Sequence, residues 1–200
     1  PSTDNDAYWK GDIPWLDSGK VNYERILPDY VEKFITDEAL KKTSTKLVKK
    51  NSPLLAITGA TCSNVGYLTF NSSINQSILG FENYENFDSK YIFYLLKSLK
   101  DEILSLRSGG AQGGVTKSDI ENLNFESPDL ANQKIIVDNL EKQLDVLDKI
   151  IKQTNKKIQL FLEQRVSSIN ELIFKGSKIK TKFKDTKISY IGKVPDHWSV

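Results

Sequence analysis

Two hydrophobic rhythms divide the chain. Up to about residue 128, apolar residues come in short clusters bounded by Asn, Ser and Gly. "PLLAIT" (Pro53–Thr58) is an apolar run ending in Gly59, the mark of a buried strand. "VGYLTF" (Val65–Phe70) and "SINQSILGF" (Ser73–Phe81) predict further strands separated by Asn/Ser turns. The period then changes. In "SKYIFYLLKSLKDEILSL" (Ser89–Leu106), Ile92, Leu95, Leu96, Leu99, Ile103 and Leu106 share one helical face, and Ser89 can serve as N-cap.

The second rhythm is longer. From about Leu130 to Lys175 there is no Gly or Pro. Val137, Leu140, Leu144, Leu147, Ile151, Thr154, Ile158 and Phe161 recur at three- and four-residue spacing, a heptad seam. Leu162, Val166, Ile169 and Ile173 continue it after an extra four-residue step, a stutter that relaxes the supercoil locally. Gly176 is the expected stop. At 1.5 Å per residue the rod spans about 60–70 Å. Such a seam calls for a partner helix from another copy or a related chain; the alternative is a helix folded back on its own domain. The fold class predicted is α+β, a strand-rich part followed by a long coiled-coil helix. The expected divisions are 1–128, 129–175 and a basic linker, 176–200.

Composition narrows the chemistry. The chain has 200 residues, 38% of them hydrophobic and 27% charged, which suits a domain with a real core plus an extension. No run of eighteen apolar residues predicts a membrane span, and no signal peptide opens the chain. The absence of Met suggests a fragment. One cysteine, Cys62, excludes an internal disulfide and a multi-Cys metal site; it is expected as a small, partly buried thiol. The single histidine, His197, lacks the partners a zinc or Ser-His-Asp site needs and is expected on the surface or in a linker. Asp88-Ser89-Lys90 matches half of a nuclease motif, a triplet that also occurs by chance.

The net charge of +2 matters less than its distribution. "LKKTSTKLVKK" carries Lys41, Lys42, Lys46, Lys49 and Lys50 with no acid, and "KGSKIKTKFKDTK" carries lysines from Lys175 to Lys187 against Asp185 alone. Such clusters attract polyanions such as nucleic acid, or are simply solvated loops and linkers.

"LRSGGAQGGVTKSDIENL" (Leu106–Leu123) holds Gly109, Gly110, Gly113 and Gly114 ahead of a short helix. A P-loop requires Lys where Val115 stands, no dinucleotide register fits, and a helix rather than a strand precedes it. The glycines instead permit unusual backbone angles and close approach. Ser118 with Glu121 offers a capping box. Arg107, Gln112, Thr116 and Lys117 suit phosphates or base edges, or serve only as turn chemistry.

Several segments together resemble a known family. "YWKGDIPWLDSGKVN" (Tyr8–Asn22), "LLAITGATCSNVGYLTFNSSINQSILGF" (Leu54–Phe81) and Leu106–Ile151 resemble, in order and spacing, the specificity subunit of type I restriction–modification systems. "YIGKVPDHWSV" (Tyr190–Val200) is similar to the phrase that opens each recognition domain in that family. A full subunit of the family carries two target-recognition domains, each followed by a long helix. The two helices pair antiparallel as a ruler between two half-sites. The resemblance implies a cytoplasmic, non-catalytic chain that reads double-stranded DNA and binds no cofactor or metal directly. S-adenosylmethionine, ATP and Mg belong on partner methyltransferase and restriction subunits. This chain holds one such repeat, expected to start inside the recognition domain and to run into the opening of a next one.

Two functions follow as expectations. One is a DNA-recognition module reading half of a bipartite target, with DNA-binding residues Lys41, Lys42, Lys46, Lys49, Lys50, Arg107, Gln112, Thr116 and Lys117. The other is a truncated assembly subunit that only docks methyltransferase subunits or a second copy. Either would use Val137, Leu140, Leu144, Leu147, Ile151, Ile158 and Phe161 as coiled-coil interface.

Overall fold

The computed structural model describes residues 1–200 except 3, 83, 110–112, 176–181, 197 and 200, and gives the backbone alone for 174 and 175. His197, Gly176 and Gln112 therefore lie outside the described residues. The chain forms two compact units, Pro1–Leu140 and Glu141–Val200.

In the first unit the elements run β1 (Trp9–Leu16), β2 (Arg25–Ile26), β3 (Lys33–Ile35), α1 (Asp37–Lys42), β4 (Lys46–Val48), β5 (Ser52–Ala56), β6 (Val65–Leu68), β7 (Ser72–Ile74), β8 (Ile78–Gly80), α2 (Ser89–Ser98), α3 (Lys100–Ser105) and α4 (Lys117–Glu121). A long helix, α5 (Leu130–Lys175), begins here and continues into the second unit. The strands make two four-stranded mixed sheets, ordered β3-β1-β7-β4 and β2-β6-β5-β8. The pairs β1–β7 and β2–β6 are parallel; the rest are antiparallel. The class is α+β, as expected.

β5 organises the core. Leu54 and Ala56 enter a cluster with Leu16, Ile26, Leu68 and Ile74. Leu55 and, just past the strand, Ile57 enter a second cluster with Ile92, Leu96, Ile103 and Val115. A strand covered on both faces reads as an unbroken apolar run rather than an alternation, which is why "PLLAI" looks as it does. Each fully buried Leu contributes about 1.5–3 kcal/mol. Cys62 is buried in the second cluster.

Three local expectations are corrected. "SINQSILGF" is two strands, because the Asn75 side chain accepts from the Ser77 N–H and turns the chain between β7 and β8, which join different sheets. The helix expected over Ser89–Leu106 is divided at Leu99 into α2 and α3. The Leu95 carbonyl there accepts from both the Ser98 hydroxyl and the Leu99 N–H. Its cap is Asp88, whose carboxylate accepts from the N–H groups of Lys90 and Tyr91, while Ser89 is engaged with the Tyr67 hydroxyl. The triplet that resembled half a nuclease motif thus begins with a helix cap.

In the second unit α5 runs on to Lys175, so the 46-residue helix matches the expected span. The stretch expected as a linker includes an antiparallel hairpin of β9 (Phe183–Asp185) and β10 (Lys193–Pro195).

Candidate nucleic-acid interface

The five lysines of residues 41–50 flank the first sheet. Lys41 and Lys42 form the last turn of α1, Lys46 lies on edge strand β4, and Lys49 and Lys50 make the turn into β5. The turn is held from elsewhere: the Lys49 N–H donates to the Glu82 carboxylate (2.7 Å) and the Lys50 N–H to the Asn71 side chain (2.8 Å). All five side chains are exposed. Lys42 is paired with Glu38 at 2.8 Å, and that hydrogen bond raises its pKa above the ordinary lysine value. Among the described residues, Lys41, Lys46, Lys49 and Lys50 make no ion pair.

The glycine-rich stretch lies at the other end of β5. The Val115 N–H donates to the Ile57 carbonyl (2.8 Å), and Gly114 bridges both Thr58 and Ser108. A Cβ on Gly114 would stand 2.4 Å from the Ile57 carbonyl oxygen, and one on Gly113 would stand 2.1 Å from that of Ser108. Glycine is required there because two backbones touch. The Arg107 guanidinium Nε donates to the Gly113 carbonyl (3.0 Å). Thr116, not Ser118, caps α4: its hydroxyl accepts from the Asp119 N–H, and the Asp119 carboxylate accepts from the Thr116 N–H. Asp119 is held below the ordinary aspartate range by those Thr116 hydrogen bonds. Glu121, expected in the box, pairs instead with Lys117 at 2.8 Å. The shift by two residues follows from the Val115–Ile57 bond, which fixes the chain just before it turns.

The expected DNA-binding residues therefore form two groups. Ser52 and Ile57, beside the two groups, are about 16 Å apart at the usual strand rise. In the first group, Lys41, Lys46, Lys49 and Lys50 make no ion pair among the described residues, and Lys42 is paired with Glu38. In the second, Arg107, Thr116 and Lys117 all have internal partners.

Along α5, Val137 is buried and Leu140 and Leu144 are half-buried. From Leu147 onward the seam is open, with Ile151 56% and Phe161 63% exposed; Leu147 and Ile158 are similar. A second apolar line, Ile135, Val146, Ile150 and Leu160, is equally exposed and lies roughly a third of a turn away at 3.6 residues per turn.

The periodicity did not single out Gln133, the second polar residue of central importance after Asp88. It is 1% exposed. Its carbonyl oxygen accepts from the Asp88 N–H (2.9 Å), and its amide nitrogen lies within donating distance of the Asn86 and Pro128 carbonyls and the Ser127 hydroxyl. It joins the first turn of α5 to the cap of α2. A hydrophilic residue early in a helix normally reads as solvent-facing, so no sequence signal marked it.

Among the described residues no helix is long and apolar enough to cross a membrane, and no three His, Cys, Asp or Glu side chains cluster as a metal site.

The geometry so far is that of an α+β chain: a packed two-sheet unit with exposed lysines along α1, β4 and the turn into β5, and a long helix whose later turns expose apolar residues. The chain belongs to the family described as type I restriction modification DNA specificity domain, whose model matches residues 1–160. It is 25% identical over 187 residues to the type I restriction enzyme EcoR124I/EcoR124II specificity subunit of Escherichia coli, covering 90% of this chain and 46% of that protein. It is 32% identical over 168 residues to the type I restriction enzyme MjaIX specificity subunit of Methanocaldococcus jannaschii, covering 75% of this chain and 38% of that protein. The chain thus spans less than half the length of these relatives. Its fold is similar to a chain solved in work on complex assembly and conformational transition of the type I R-M system (TM-score 0.62, 14% identity, 80% of this chain and 39% of that one). It is also similar to the HsdS subunit from Thermoanaerobacter tengcongensis (TM-score 0.56, 15% identity, 74% and 35%). Membership places the chain with specificity components, which are not catalysts.

Proposed function

We propose that this chain reads one half of a bipartite DNA target for a type I restriction–modification complex and docks the methyltransferase subunits that act there. The observation that carries the reading is the span of the family match. Residues 1–160 include both the two-sheet unit and the first two-thirds of α5. In this reading residues 1–128 recognise DNA, 129–175 form the spacer, and 176–200 lead toward a next repeat.

The lysines of the first group supply phosphate contacts, so affinity falls as salt rises. Gln112, Arg107, Thr116 and Lys117 are weaker contributors, because Arg107 is bonded to the Gly113 carbonyl, Thr116 caps α4 and Lys117 is paired with Glu121. The seam residues Val137, Leu140, Leu144, Leu147, Ile151, Ile158 and Phe161 meet a partner helix. Two identical copies pairing this way would be related by a twofold axis and would read a gapped palindrome. The second exposed line on α5 supports an additional partner, the methyltransferase subunits, since a helix apolar on two faces is usually covered on both. S-adenosylmethionine, ATP and Mg are the business of those subunits and of a restriction subunit, in the cytoplasm.

The test is co-expression of the chain with its matching methyltransferase subunits in a methylation-free host, followed by modified-base sequencing. A gapped palindromic methyl-adenine motif is the expected result. An asymmetric motif would show that a second, different recognition domain is recruited. A co-purifying complex that modifies nothing would overturn DNA reading and leave the assembly role, which the open faces of α5 favour independently.

A further inference from the structure

A buried polar side chain is costly unless its polar atoms are bonded. Among the described residues, the buried polar side chains are serines and Gln133. Gln133 is the large one, and it joins α5 to two other stretches of the first unit. Its side-chain oxygen accepts from the Asp88 N–H (2.9 Å). Its amide nitrogen lies 2.9 Å from the Pro128 carbonyl, 3.0 Å from the Asn86 carbonyl and 3.1 Å from the Ser127 hydroxyl. A leucine would serve if apolar burial were all that the position needed. What the amide adds is direction, because a hydrogen bond weakens steeply when it is misaligned.

The joint is braced on each side. On α5, the Gln133 N–H donates to the Asp129 carbonyl (2.9 Å), and the Asp129 carboxylate accepts from the Asn132 N–H (2.8 Å), so the first turn is closed where Gln133 stands. Val137, one turn further on, is buried. The rings of Phe87 and Phe125 meet edge-to-face at 6.0 Å and tie the same two stretches a second time. On the far side Asp88 caps α2, whose Ile92 and Leu96 share a core cluster with Leu55 of β5. A continuous path of bonded and packed groups therefore runs from the root of α5 to β5, and the two groups of expected DNA-binding residues lie at the ends of that strand.

The length of the helix makes its root decisive. At 1.5 Å per residue α5 is about 70 Å long, so a tilt of about 3° at the root displaces the far end by roughly 3.5 Å. Successive base pairs of duplex DNA are about 3.4 Å apart. A root free to tilt by that much would let two paired chains accept targets that differ by one base pair in the gap. One apolar contact leaves that freedom. A side chain bonded to two stretches at once, beside a second contact between them, removes it.

We propose that Gln133 is a positioning residue for target length: buried itself, it holds the gap between the two half-sites to one number of base pairs. Base identity and gap length then have separate determinants, the surface of the two-sheet unit for the first and this joint for the second. The inference rests on the proposed function, in which α5 pairs with a second helix, and adds the residue that makes the gap strict.

The experiment uses the full chain with its methyltransferase subunits, comparing wild type with Gln133→Met, Gln133→Ala and Ser127→Ala. Modified-base sequencing gives the motif. Binding to duplexes that carry this motif with the gap one base pair longer or shorter gives the tolerance. Gln133→Met keeps the length of the side chain and removes its hydrogen bonds. It is expected to write the same half-site bases and to lose about tenfold or more of the wild-type preference for one gap length, equivalent to one or two buried hydrogen bonds. Gln133→Ala should do the same. Ser127→Ala removes a single acceptor and should relax the gap by a smaller factor; it decides the question should both Gln133 variants fail to fold. A folded variant that is less stable but as strict about the gap as wild type would overturn the inference, leaving Gln133 a structural residue and DNA reading intact. A variant that alters the half-site bases and not the gap would overturn it as well. If wild type in a stable complex writes no motif, DNA reading itself fails and the inference falls with it.

Discussion

β5 and α5 are both apolar, and their fates differ. Leu54, Leu55 and Ala56 are fully buried, and Ile57 nearly so. On α5 Val137 is buried, Leu140 and Leu144 are half-buried, and Ile151, Ile158 and Phe161 stand about half exposed or more. The first element completes its packing with residues of its own chain, on both faces. The second begins the same way, pinned by Gln133 and Val137, and then offers its apolar lines to something else. The contrast separates what this sequence needs in order to fold from what it needs in order to assemble.

The largest effect should come from the strand. Leu55→Ala leaves a cavity between β5 and the helices α2 and α3, and should destabilise the first unit by about 2–5 kcal/mol. Chemical denaturation followed by tryptophan fluorescence checks it; a loss under about 1 kcal/mol would mean that this core is looser than its burial says. Next is the hinge between the two regimes. Gln133→Ala strips partners from the Asp88 N–H and the Asn86 and Pro128 carbonyls, and should cost about 1–3 kcal/mol. Hydrogen exchange should show the loss concentrated at the start of α2 and the first turn of α5.

The comparison inverts on the open face. Ile151→Asp touches no core and should change the unfolding midpoint of the first unit very little, within about 0.5 kcal/mol. It should nonetheless convert any self-associated species to monomer in sedimentation. A variant that stays associated would show that the seam is not the interface, and a variant that unfolds the first unit would erase the distinction between the two regions.

The same contrast explains what the sequence disclosed. The long helix was visible because its repeat is local and uninterrupted, and "PLLAI" because a doubly covered strand needs no polar face. The heptad spacing drew the reading to one apolar line of the helix, and the second, Ile135, Val146, Ile150 and Leu160, lies outside that spacing. The division of "SINQSILGF" between two sheets hung on one Asn75 side chain. The break at Leu99 falls inside an apolar face that runs on through Ile103, so periodicity did not mark it. Gln133 was hidden for a deeper reason. It depends on a residue distant in sequence, Asn86. Positive charge was easy to find, but its division between the two ends of β5 was fixed only by strand pairing.

The smallest test concerns the cap of α4, which lies between the packed strand and the open helix. Asp119 accepts from the Thr116 N–H and hydroxyl, and those bonds favour its charged form. A carboxyl whose pKa is lowered on folding stabilises the native state above the ordinary aspartate range; the contribution is lost as pH falls through that range to the lowered value. Asp119→Asn should therefore melt slightly below wild type at neutral pH, and the two curves should converge in acid. The group is on the surface, so the difference should be small and should shrink with added salt. Because Val115 is bonded to Ile57 whatever the cap does, β5 should hold the glycine turn in place even when α4 frays. If instead the whole first unit lost stability in step with the cap, the turn would depend on α4 rather than on the strand, and the self-sufficiency assigned to β5 would have to be shared with its neighbour.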